Sequence, residues 1–421
     1  MMQTLWRSIT YRFFPSQPIP GQYKDIFLHL FLDMAWVGVL SGSTVAFLGV
    51  YAARLGASPG QIGLLNAVPA LVNLLLAIPS GRWMRGRRLG RVAFWSSAAA
   101  RIFYLGFVFL PLLFSPAVEL WVIILITLVM NVPLTVLNVS FNAFVIEAVP
   151  SQWRAYVVGG RNGLLSVVAL CFTLLSGQIL NGVTFPLGYQ IVFGIGFLGA
   201  AMSSLHLFFL GRLDSRQSVV STSAEETDEP IRKEVVLTRS NPEISRYIRV
   251  LLLFFGFHIS QWLVIPVVPL FTVNYLRLND FQIGVGSAMF NLVVFIGSFY
   301  LSKVTGRFGN HRTTAISMMG LGIFPALLAL SHGFSFFMVA QFVGGISWSI
   351  LAGAMFNYLA DSLPSTNRAG AFSWYILVSN GAILIGSLLG PQFINWLGYP
   401  GALLCFAGLR ILAGWATLRW G

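Results

Sequence analysis

Apolar runs long enough to cross a lipid bilayer recur along almost the whole chain. A spanning helix needs about 20 mostly apolar residues. Such runs fall roughly at 26–52, 61–81, 92–114, 119–146, 155–180, 187–210, 247–272, 281–303, 313–332, 335–360, 370–390 and 398–418. They leave little chain for anything else. Of 421 residues, 56% are hydrophobic and 9% charged, where a soluble domain carries about 25% charge. The mean hydropathy of +0.78 agrees. The fold class expected is an all-α integral membrane protein with 12 transmembrane helices, surrounded by membrane lipids.

The formal charge of +13 does not point to nucleic acid here, because membrane proteins concentrate Lys and Arg in their inner loops. With both termini placed inside, the inner segments hold twenty of the 26 Lys and Arg, including Arg82, Arg85, Arg87, Arg88 and Arg91 in one loop. The outer loops hold only Arg54 and Arg277. The expected topology is N-in and C-in, in a bacterial inner or plasma membrane. No cleavable signal is expected, since the first 24 residues are polar and aromatic with no short apolar core before a small-residue cleavage site. The organisation expected is an N-terminal segment at 1–24, a six-helix half at 25–210, a polar linker at 211–245 and a second six-helix half at 246–421. The linker includes "STSAEETDEP", which cannot bury enough apolar area to order itself strongly.

Catalytic and cofactor chemistry find no foothold. Cys171 and Cys405 both sit in apolar runs, so neither a disulfide framework nor a metal site is expected. The five histidines are scattered without metal or acid/base spacing. There is no Gly-rich phosphate loop, which argues against ATP-driven transport. No cofactor is expected.

The two halves repeat one another. "EAVPSQWR", Glu147 to Arg154, and "DSLPSTNR", Asp361 to Arg368, share the frame of acid, two residues, Pro, three residues, Arg. "GQIG" from Gly60 answers "FQIG" from Phe281, "RNG" from Arg161 answers "SNG" from Ser379, and "LGY" from Leu187 answers "LGY" from Leu397. Parallel repeats of this kind build one class of transporter. Proline ends or re-aims a helix, so Pro150 and Pro364 are read as turns between the fourth and fifth spans of each half. Glu147 and Asp361 then lie at helix C-termini, where the dipole disfavours an acid. A cationic partner is expected for each, with Arg154 and Arg368 nearest in sequence. The four residues form a candidate gate, against a plainer reading of interfacial solvation.

With its two six-helix pseudo-repeat halves, the chain resembles the major facilitator superfamily (MFS fold) from about residue 25 to its end. The loop "SGRWMRGRRLGR" and its partner "GRFGNHR" look like that family's glycine-and-arginine motif. The family has an acid before the first Arg of the motif, and neither copy has one here. The family's antiporter signature ends in Gly-Pro on the fifth span, which has no proline in this chain. Drug/proton antiport is therefore not inferred.

Polar residues within spans mark the candidate site, because each costs free energy there. On the first span Asp33, Trp36, Leu40 and Thr44 share a face. On the fourth, Asn131, Asn138 and Asn142 share one. His258, Gln261 and Trp262 cluster on the seventh, and Gln341 and Trp348 on the tenth. The resemblance implies that spans one, four, seven and ten line a central cavity. The competing reading is interhelical packing glue. Asp33 and His258 are the groups suited to carry a proton, and Arg101 or Arg161 is the alternative partner for Asp33. Both arginines are also suited to an anionic substrate. The cavity faces suit an amphipathic or weakly cationic solute better than a phosphate.

The function expected is secondary transport of a small organic solute by alternating access, with protons as one expected coupling ion. The alternatives are an integral-membrane enzyme, which lacks a converging catalytic set, and a lipid scramblase or flippase on the same fold.

Overall fold

The computed structural model describes residues 21–220, 242–364 and 368–421. The first 20 residues of the N-terminal segment, linker residues 221–241, and Ser365 to Asn367 of the second octet lie outside the described residues.

Among the described residues the regular structure is helical throughout. The first span is built from α1 (Gly21–Leu40), a π-helical turn (Ser41–Val45) and α2 (Ala46–Arg54). Then come α3 (Pro59–Trp83), α4 (Leu89–Arg101), α5 (Phe103–Leu113), α6 (Pro116–Ala148), α7 (Ser151–Gly182) and α8 (Leu187–Val220). The second half runs through α9 (Pro242–Val264), α10 (Val267–Leu270), a second π turn (Phe271–Tyr275) and α11 (Asp280–Ser298). It finishes with α12 (Leu301–Phe308), α13 (Asn310–Ala329), α14 (Phe334–Ser362) and α15 (Arg368–Trp420). Eleven of the resulting helices are long and apolar enough to cross a membrane. The last, Gly370–Trp420, contains 51 residues and is two spans joined at Gly398, whose φ of 67° breaks the helical path. Glycine reaches that left-handed conformation without a Cβ penalty. The twelve expected spans are thereby accounted for.

Two of the repeated sequence pairs now have a physical cause. Gln61 and Gln282 both sit three residues into a capping box. The Gln282 main-chain N–H donates to Asn279 at 2.8 Å, and the Asn279 N–H donates to the Gln282 side chain at 3.1 Å. Ser58 and Gln61 exchange the same two bonds at 2.9 and 3.3 Å. Pro150 precedes α7 directly, and Pro364 stands just after α14, as a tight turn requires.

By internal packing the chain forms two compact units. One comprises the described residues within 21–47, 75–115 and 125–220, and the other those within 48–74, 116–124 and 242–421. In the first, α1 lies against α7 and α8, and buried Phe27, Phe144, Trp153 and Leu207 belong to its core. Contact is close where glycines allow it. A Cβ on Gly42 would strike the carbonyl of Ala169, and one on Gly199 would come within 2.9 Å of the Trp36 carbonyl. In the second unit, α9 and α13 pack along α15 around Tyr247, Phe254, Met318 and Tyr358. Arg54 there makes an ion pair with Asp280 at 3.0 Å, and the Tyr51 hydroxyl donates to Glu119 at 2.5 Å.

Candidate functional site

Asp33 is the centre of a buried charge cluster in the first unit. It lies three turns into α1, where the close packing of α7 and α8 leaves it 3% exposed. The Ser203 hydroxyl of α8 donates to one carboxylate oxygen. Nη2 of Arg161 on α7 lies 3.8 Å from the other. Arg101, the last residue of α4, donates to Ser203 and also approaches Ser204 and the Ala200 carbonyl, each at 3.4 Å. Both arginines are buried, at 7% and 5% exposure. One carboxylate therefore faces two guanidinium groups inside the protein. Arg161 also stands over the Phe141 ring of α6, 4.5 Å from its centroid.

One turn earlier on α1, His29 meets His206, with 3.0 Å between their Nδ1 atoms. One ring must donate and the other accept, so a single proton occupies that contact. The pair was not legible in the sequence, because residues 177 positions apart share no spacing signal. Ser203 was missed for the same reason.

The other expected site residues are distributed as follows. Trp36 is half-buried, while Thr44 is fully buried in the first π turn and faces Gly196 of α8. Asn131 is buried and donates to the Thr127 carbonyl of its own helix at 2.6 Å. Asn138 and Asn142 are exposed on α6. In the second unit, His258 is buried and its Nε2 lies 3.3 Å from the Tyr375 hydroxyl. Gln261 is half-buried, and its buried Oε1 has no hydrogen-bond partner among the described residues. Trp262 lies against α15 at Gly386, where a Cβ would come within 2.8 Å of it. Gln341 is buried, and Trp348 packs against the core of this unit. The structure thus unites Asp33 with Arg101 and Arg161 in the first unit, and it keeps His258 beside Gln261 in the second.

At the octets, Arg154 donates to the carbonyls of Val149 and Ile146 at 2.9 and 2.6 Å, capping the end of α6. Among the described residues Glu147 is exposed and makes no ion pair. Asp361 is exposed and accepts from Asn310 at 2.7 Å; Arg368 is exposed. Arg410, expected to snorkel or pack, packs: it is 2% exposed and donates to the carbonyls of Leu321, Ser260 and Gln261.

The all-helical architecture, with charges buried between apolar spans, is that of a multi-pass membrane protein. The Major Facilitator Superfamily model matches residues 250–421, within the second half of the chain. A D-xylose-proton symporter structure has the same fold, with a TM-score of 0.70 and 13% identity over 94% of this chain and 97% of that one. The quinolone resistance protein NorA of Staphylococcus aureus is 26% identical over 144 residues, 34% of this chain and 36% of that protein. The match thus spans about a third of that relative's length. The cis,cis-muconate transport protein of Acinetobacter baylyi is 19% identical over 274 residues, 63% of each chain.

Proposed function

We propose that this chain is a secondary transporter that carries a small organic solute across its membrane by alternating access. The observation that carries the reading is the buried Asp33–Arg101–Arg161 cluster inside a major facilitator fold. Ionisable residues within spans are costly and mark pathways for solutes and ions. The repeated octets and paired capping boxes support two homologous halves, the symmetry that lets one site face each side in turn. Names tied to quinolone resistance and cis,cis-muconate transport among similar proteins support a small organic solute. The Lys and Arg distribution supports both termini inside, and Glu147, Arg154, Asp361 and Arg368 are the proposed gate at that face.

Asp33 is the group proposed to couple transport to protons. If substrate and proton both bind the same cluster, each changes the other's affinity by an equal factor. In proteoliposomes, Asp33→Asn should abolish the pH dependence of flux while the protein remains folded. An unchanged pH profile in that variant makes Asp33 a packing residue and removes proton coupling from the reading.

A further inference from the structure

We infer that Arg161 is the anchor for a carboxylate on the transported solute, which makes the substrate an organic anion. This rests on the reading of the chain as a solute transporter. It replaces the weakly cationic solute expected from the sequence.

The geometry of the guanidinium carries the inference. Nε and Nη2 form one edge of an arginine, a fork matched to the two oxygens of a carboxylate. At two other arginines that edge is filled. Arg54 directs Nε and Nη2 to Asp280 at 3.1 and 3.0 Å, and Arg154 directs the same pair to two main-chain carbonyls. Arg161 is as buried as any of these, yet its Nε and Nη2 have no hydrogen-bond partner among the described residues. Asp33 does not fill the fork, since 3.8 Å is beyond hydrogen-bond reach. A buried guanidinium with an empty fork costs about 1–3 kcal/mol or more, so the arrangement calls for an acceptor.

Charge balance makes the same demand. Asp33 contributes one negative charge against Arg101 and Arg161, leaving one positive charge in excess. Arg101 is occupied by Ser203, Ser204 and the Ala200 carbonyl. Arg410, also buried and without an acid, belongs to the other unit; its Nη1 and Nη2 donate to three carbonyls, and its Nε alone has no partner among the described residues. The excess therefore resides at Arg161, and one carboxylate neutralises it. A phosphate monoester, with a charge of about −1.5 to −2 at pH 7, would overshoot beside Asp33. The position also suits a ligand. Arg161 lies on Phe141, whose neighbours on α6, Asn138 three residues before it and Asn142 immediately after, are exposed amides. An aromatic flanked by amides offers a surface for the body of the solute beside the charged fork.

The test uses the full-length protein purified in detergent. Benzoate, hexanoate and adipate are titrated beside benzamide, hexanamide and adipamide, with inorganic phosphate as a further arm, and thermal midpoints give apparent affinities. At least one carboxylate should stabilise the protein saturably while its amide does not. Arg161→Gln should abolish that response. Arg161→Lys keeps the charge but loses the fork and should weaken it about tenfold or more, or about 1.4 kcal/mol. The inference is overturned if no carboxylate stabilises the parent, if amides match the acids, if phosphate binds in their place, or if Arg161→Gln responds like the parent. Should Arg161→Gln not fold, the acid-against-amide contrast and Arg161→Lys decide. A carboxylate that binds through Arg161 but is not carried into proteoliposomes removes the transport reading and leaves the anchor. A neutral solute carried with no carboxylate bound does the reverse.

Discussion

Arg101 and Arg161 face the same carboxylate and are built for different work. Arg101 is held by two serines and a carbonyl, so its removal strands a set of buried acceptors. Leaving a buried acceptor without its donor costs about 1–3 kcal/mol. Arg101→Leu should therefore lower stability far more than Arg161→Gln, which deletes a group that is itself unsatisfied. Urea or thermal unfolding in detergent checks this, and equal losses would show that Arg161 is structural too. The capping glutamine is a smaller, cleaner case. Gln282→Ala deletes half of the capping box at α11 and should cost about 1 kcal/mol with no effect on ligand affinity, read from the same unfolding curves. Asp33 stood out in the sequence because an acid in an apolar run is costly wherever it points. Its partner Ser203 did not, since a serine in a span carries no such signal.

At the scale of elements, the twelve apolar runs were legible because hydropathy over about 20 residues is a property of the run alone. The interruptions were not. The first span contains a π turn at Ser41–Val45, and the seventh contains another at Phe271–Tyr275. The third is interrupted between α4 and α5 at Ile102. Such local irregularities depend on neighbouring helices rather than on hydropathy. The faces behaved similarly. Asp33 and Thr44 share a stripe of the first span, and both turn toward α8, because Gly196 and Gly199 let that helix approach closely. Gly42→Val tests that packing directly. Its side chain would collide with the Ala169 carbonyl, and overpacking of this kind costs about 1–3 kcal/mol or more. The expected result is a lower melting temperature and a reduced monodisperse yield, whereas an unaltered melting curve would mean that the first π turn and α7 are not so close.

For the whole molecule, the repeat was legible through punctuation: an acid, a proline and an arginine placed twice, and a capping glutamine placed twice. How residues 48–74 and 116–124 pack was not, since they join the unit that holds the second half of the chain, and the Arg54–Asp280 pair that accompanies this spans 226 positions. The central claim is alternating access. It is tested most directly by spin-label distances in lipid nanodiscs, with one label pair at Arg85 and Arg307 and another at Gly56 and Arg277. Two populations are predicted for each pair, and their weights should change in opposite senses at the two pairs when the stabilising carboxylate is added. Glu147→Gln with Asp361→Asn should shift the same populations without ligand. A single unchanging distance at both pairs, with and without ligand, would contradict the account.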